Sequence, residues 1–201
     1  MKLHVGSGPL VREGWVNVDN QPYEGVDHVL DVTQGLPFEN IDVIYAEHFI
    51  EHLSYDQGMA FLRECRRILA DTGVLRLSTP NLDWVWATQY HPGEWTTEVE
   101  AVRDCFWMNK AFRGWGHQFL YNAVTLRHSL MAAGFGEVEN CAYGESRDPQ
   151  LRSLEGHEQY PDHPGLPHVV VVEARGRSAA ELSPSILEDH VSDYTNAISA
   201  R

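Results

Sequence analysis

The chain has 201 residues, 43% of them hydrophobic and 22% charged, with a formal net charge of −14. That length suits one domain with a sizeable core, and the balance is that of a soluble globular protein. So acidic a chain repels phosphate backbones, which excludes a nucleic-acid substrate without a local basic patch, and the densest basic run, 63–67, lies on a predicted helix face. No apolar run reaches the length that spans a bilayer and no charged-then-apolar leader opens the chain, so the expectation is a cytoplasmic protein with no membrane span. Cys65, Cys105 and Cys141 are scattered and odd in number, and read as reduced thiols rather than a disulfide frame.

In chain order, short apolar alternations at 2–6, 15–19 and 27–32 and β-branched runs at 41–46 and 73–79 predict strands. Between 53 and 72 the period changes. Ser54 with Gln57 forms a capping box, and Met59, Phe61, Leu62, Cys65, Ile68 and Leu69 recur at helical spacing up to Gly73, the expected stop. Residues 125–135 predict a second helix, with Thr125 as cap and Gly134 as stop. Residues 137–143 and 168–174 predict two closing strands. Strands alternating with helices imply a layered α/β fold with a mostly parallel sheet. Residues 82–122 stand apart as an unusually aromatic insertion after the fifth strand, where active-site lids often lie. Residues 144–167 read as a long loop rich in Gly, Pro, His and acids, and 176–201 as a tail with a short helix.

Gly6-Ser7-Gly8 follows the first strand, and such a loop lets backbone approach a ligand closely. A nicotinamide fingerprint needs a third glycine, where Val11 stands, and an acid about 20 residues further on. Asp19 instead ends the second strand, where a carboxylate can accept from both hydroxyls of a ribose. Asp31 is a candidate acceptor for an adenine amino group, with Leu36, Pro37 and Phe38 as an apolar wall.

The segments LHVGSG, GWVNVD, DVTQGLPF, DVIYAEHFIEHL, LRECRRIL, GVLRLSTPNL and LMAAGF, in that order, resemble a class I S-adenosylmethionine-dependent methyltransferase. They look most like the compact relatives whose chain starts at the glycine loop, and the resemblance covers residues 2 to about 175. It implies a Rossmann-like three-layer sandwich: a mostly parallel sheet, an antiparallel closing strand and a first crossover helix shortened or absent. Only nine residues separate Val5 from Trp15, too few for a usual crossover. The domain would span 1–175 with the helical insertion at 82–122. By the resemblance, S-adenosylmethionine would lie on Gly6, Ser7 and Gly8, with Asp19 and Asn20 at the ribose, Asp31 and Val32 at the adenine, and Glu47 and His48 beside the methyl donor.

Within residues 48–52, HFIEH matches the H-x-x-E-H pattern of some zinc peptidases. The stretch directly follows a strand, so His48 and His52 need not share a helical face, and no metal is expected. A metal-dependent hydrolase using both histidines is the lesser alternative, beside a cofactor-binding module without turnover. The expected reaction is methyl transfer to a hydroxyl of a small molecule or saccharide. A histidine suits the general base: His117, preceded by Gly114 and Gly116, is favoured over His48. Asn81, Trp84 and Trp115 are the acceptor-binding candidates. A homodimer stays open.

Overall fold

The computed structural model describes residues 1–157, 160–178 and 186–199. Strands β1 (Lys2–Val5), β2 (Val16–Asp19), β3 (His28–Val29), β4 (Ile41–Glu47), β5 (Leu69–Pro80), β6 (Phe135–Cys141) and β7 (Val169–Arg177) form a 7-stranded sheet in the order β3-β2-β1-β4-β5-β7-β6. The first five run parallel, and β7 is antiparallel to both β5 and β6. The chain works outward from β1 to β3, then returns to the other side of β1 as β4. That reversal opens a crevice beyond the carboxyl ends of β1 and β4, the place where open α/β sheets bind ligands.

Strand alternation sorts the side chains onto two faces. Leu3, Val5, Ile44, Ala46, Leu75, Leu77, Val170 and Val172 share the main core with helices α1 (Tyr55–Ile68) and α4 (Ala123–Ala132), which contribute Phe61, Leu62, Leu126 and Leu130. Val43, Tyr45 and Val74 point the other way and meet Leu151 and Leu154, with Trp15 against them. The second face is thus covered chiefly by irregular chain and one 3-10 turn in residues 144–157 and 160–168. Its polar seam is Arg76, fully buried, whose guanidinium grips Glu155 at 2.7 and 3.0 Å and Glu173 at 2.6 Å. Burial alone would depress the arginine's basicity, but the two carboxylates raise it.

Residues 6–15 contain no helix, so β1 reaches β2 through coil. The strand expected at 27–32 shortens to β3, with Val32 opening a 3-10 turn, and two helix boundaries differ from the sequence expectation. Helix α1 starts at the Ser54–Gln57 capping box but ends at Ile68, not Gly73, because Leu69 is already extended and pairs with Ile41. Gly73 serves a close approach inside β5, where a Cβ would lie 2.6 Å from the Ile41 carbonyl. Helix α4 is capped by Asn122, whose side chain accepts from the Thr125 amide, so Thr125 is inside the first turn. Gly134, at φ +100°, follows the helix as its stop. In the insertion, α2 (Leu82–Gln89) and α3 (Glu98–Arg113) form a separate small core of Trp84, Val85, Met108, Ala111 and Leu120. In the tail, α5 (Glu188–Ser199) lays Val191 and Tyr194 against the main core, Tyr194 meeting Phe119 edge-on at 5.5 Å. The rest of the tail, 179–185 and 200–201, lies outside the described residues.

Candidate functional site

The carboxyl edge of the sheet carries two unlike half-sites. Beyond β1 and β2 the surface is built from backbone. Gly6 turns at φ +65° and gives its amide to Val18 O at 2.9 Å. A Cβ on Gly6 would stand 2.4 Å from the Phe49 ring, so only glycine fits. Gly8, at φ +52°, has open space where its Cβ would be. Its amide donates to Asp19 Oδ2 at 2.8 Å, and Gln21 N donates to Oδ1 at 2.9 Å. Ser7 is buried, Asn20 exposed, and Val32 sits in the main core. Asp31 caps the 3-10 turn Val32–Gln34 through Oδ1, held by the Thr33 amide and hydroxyl at 2.9 and 2.7 Å. Those bonds lower its pKa.

Beyond β4 and β5 the surface is side chain. A cavity of about 660 Å³ opens there, lined among others by Trp84, Trp107, Trp115, His117, Tyr160 and His168. This volume suits a small organic ligand. His48 follows β4 at φ +46°, donates its amide to Ser78 O at 2.9 Å and stacks on His157 at 4.5 Å. Its Nδ1 lies 3.2 Å from Glu51 Oε1, and its Nε2 is buried without a hydrogen-bond partner. His117 holds Nδ1 2.8 Å from Ala111 O. A carbonyl only accepts, so Nδ1 carries the proton and Nε2 presents its lone pair. Trp115, beside it, sits at φ +55° and is largely exposed, with the Lys110 ammonium over its ring at 4.8 Å. A buried Asp104 ties the cover by accepting from Trp95 Nε1, His91 and Arg103.

Two of the expected ligand-facing residues are committed elsewhere. The Glu47 carboxylate accepts from the Gly156 amide at 2.9 Å and the His157 amide at 3.0 Å, with His157 Nδ1 at 3.3 Å. Burial pushes its pKa up, but the His157 ring and these amides outweigh it and hold it down to about 2. The Asn81 side chain caps α2 through Asp83 N at 3.0 Å and donates to Pro167 O at 2.8 Å. Trp84 lines the cavity while its Nε1 donates to Pro161 O at 3.0 Å. The same fold brings in Glu51, His52, His157, Tyr160 and His168, of which the sequence reading had weighed only His52, in the metal-hydrolase alternative. His157 and Tyr160 come from the histidine-rich loop 144–167, which has no periodicity to say where it goes, while the signal for Glu51 and His52 was the HFIEH stretch itself.

A family model described as a methyltransferase domain matches residues 5–140, more than half of the chain. The chain belongs to the class I S-adenosylmethionine-dependent methyltransferase family. The chain is 33% identical over 120 residues to a probable S-adenosylmethionine-dependent methyltransferase found in two strains of Mycobacterium tuberculosis. That match covers 60% of this chain and 35% of the relative, so it spans about a third of the relative's length. Among solved structures, an S-adenosylmethionine-dependent methyltransferase from Archaeoglobus fulgidus aligns over 86% of this chain and 84% of its own, with 16% identity and a TM-score of 0.52. The YcgJ protein of Bacillus subtilis aligns over 89% and 92%, with 14% identity and the same score. A complex of DhpI with SAH aligns over 89% and 77%, with 13% identity and a TM-score of 0.52. These likenesses are of fold. Among the described residues, no helix is long and apolar enough to cross a membrane.

The backbone half-site fits the family's cofactor in kind. The open space at Gly8 leaves room for close approach, and both Asp19 oxygens keep a lone pair beyond the amides they hold.

Proposed function

We propose that this domain transfers the methyl group of S-adenosylmethionine to an oxygen acceptor, the hydroxyl of a small molecule or saccharide, held in the aromatic cavity. The observation that carries this reading is His117 in the lining of a cavity at the carboxyl end of β4, with its Nδ1 committed to the Ala111 carbonyl at 2.8 Å so that Nε2 is the nitrogen left to act. When bound, the cofactor supplies an electrophilic methyl group. Gly6, Ser7 and Gly8 hold its amino-acid end, Asp19 and Asn20 its ribose, and Asp31 with Val32 its adenine. The protein's contribution is then orientation: the acceptor oxygen lined up within about 3–3.5 Å of the methyl carbon accounts for most of the acceleration. Trp84, Trp107 and Trp115 supply apolar wall that excludes water, and His117 Nε2 activates the hydroxyl. His48, strained in φ and stacked on His157, holds the loop between the half-sites.

The test is release of S-adenosylhomocysteine during incubation with S-adenosylmethionine and a panel of small alcohols and saccharides. Acceptor-dependent release is expected. Cofactor binding with no release across the panel would leave a binding module of the same fold in place of an enzyme.

A further inference from the structure

We infer that Glu51, His52 and His117 form a binding site for one divalent transition-metal ion, zinc being the best chemical match, on the wall of the acceptor cavity. One ligand atom from each of the three lies within 4.8 Å of the others. Two imidazoles and a carboxylate with an open fourth position are the donor set of catalytic zinc sites. Ligand atoms held tetrahedrally at zinc's bond length of about 2.0–2.2 Å stand roughly 3.3–3.6 Å apart, so a shift of under about an ångström per side chain closes the set.

Two independent observations point to a cation. Glu51 is wholly buried, yet its Oε1 has no hydrogen bond, while Oε2 accepts from the Thr79 hydroxyl at 3.0 Å. His48 Nδ1 stands 3.2 Å from that oxygen, at ion-pair distance when the ring is protonated, but in a geometry that makes no hydrogen bond. A buried carboxylate with an idle oxygen is costly, and a bound cation removes the cost. Second, His117 donates Nδ1–H to the Ala111 carbonyl, the arrangement by which metal-binding histidines fix their tautomer and turn the other nitrogen outward.

The backbone holds the three residues together across a sequence gap of 65 positions between His52 and His117. Glu51 O accepts from the Gln118 amide at 2.7 Å and the Phe119 amide at 3.2 Å, and His52 O accepts from Gln118 Nε2 at 2.6 Å. The two imidazoles meet edge to face, centroids 5.1 Å apart. This is not the H-x-x-E-H arrangement of the sequence motif. His48 lies toward the other side, against His157, and the partner that completes the set comes from the end of the insertion. All three ligands line the acceptor cavity, so the open position faces the acceptor. The role of the ion therefore rests on the functional reading above: it would grip the acceptor oxygen and act where His117 alone would otherwise activate it.

The experiment is titration of the chelator-treated domain with zinc, and separately with cobalt(II), whose visible absorption reports the ligand geometry. One equivalent of each is expected to bind. Loss of a partner that only orients a ligand costs about 10–100-fold in affinity, so His52→Ala, His117→Ala and Glu51→Gln are each expected to cost more than about 100-fold. His157→Ala, on the same wall, should leave the affinity within a few-fold. His52→Cys keeps a ligand atom and should retain the ion with a sulfur-to-cobalt charge-transfer band, which separates ligation from a folding defect. No saturable binding, or binding that survives both His52→Ala and His117→Ala, overturns the site. Calorimetry with S-adenosylhomocysteine on the same samples keeps the two readings apart. Cofactor binding without metal binding removes only the ion, and absence of cofactor binding removes the methyltransfer reading.

Discussion

The two half-sites at the carboxyl edge of the sheet are built by different means. The side beyond β1 and β2 uses glycine backbone, the carboxylate that ends β2 and the Asp31 carboxylate that caps a 3-10 turn, all within the first 31 residues. The side beyond β4 and β5 is assembled from the insertion, the described parts of the loop after β6 and a strand-end histidine, tied by contacts spanning up to 110 positions. A local motif can make a surface for a ligand with a fixed shape. A long-range assembly can be rebuilt around a new acceptor without disturbing the first. The comparison predicts that damage to one side leaves the other working.

The largest effect should come from Arg76→Ala. Removing one partner of a buried charge set costs about 3–5 kcal/mol, because Glu155 and Glu173 are left unpaired. A lower midpoint in urea measures it. Loss of the Glu155 tie should loosen the coil that brings His157 and Tyr160 to the cavity, and a variant as stable as the native protein would contradict the seam. Arg76→Met, with Glu155→Gln and Glu173→Gln, removes the charges together and should recover most of the stability. Next is His117→Ala, expected to lower turnover about 10²–10⁴-fold with affinity for S-adenosylhomocysteine nearly unchanged. Equal losses in both would merge the half-sites.

Gly6→Ala should act on the opposite side, costing about 1–2 kcal/mol from its positive φ alone, with the Phe49 clash added. Cofactor affinity should drop while zinc affinity holds. The smallest effect is in pH. Glu47 titrates at about 2 in the fold against an ordinary 4.5, so its contribution is present above about 4.5 and fades as pH falls toward 2. His157, raised above 6.5 by its bond to Glu47, contributes below 6.5 and loses that as pH climbs through the raised value. The tie is therefore firmest between about 4.5 and 6.5. The Gly156 and His157 amide resonances should shift between pH 4.5 and 2, and that of Gly6, whose amide donates to the Val18 carbonyl, should not follow. The reverse pattern would place the acid-sensitive tie on the wrong half-site.

Much of the fold was legible because its signals are local. The alternation of the strands, the Ser54–Gln57 box and the short span between Val5 and Trp15 each state their consequence within a few residues. The cap at Asn122 was misread as Thr125 because both residues suit a cap and only the path of the preceding chain decides. The end of α1 was misplaced because Gly73 has the look of a helix stop, while its reason is the Ile41 carbonyl across the sheet. The acceptor side was the least legible. Glu47 and Asn81 sit at strand ends, as ligand residues do, yet their polar atoms are engaged by a loop more than 80 residues away. No pattern in residues 144–167 announces that His157 returns to stack on His48.

The central claim is that a methyl donor sits on the backbone-built side, independently of the acceptor side. Calorimetric titration of S-adenosylhomocysteine into the native domain, Asp19→Ala and His117→Ala tests it most directly. The native domain should bind one equivalent, and His117→Ala should match it. Asp19→Ala should lose about 1–3 kcal/mol, since the ribose hydroxyls lose their charged acceptor. Absence of binding by the native domain, or an Asp19→Ala affinity equal to the native one, would contradict the account.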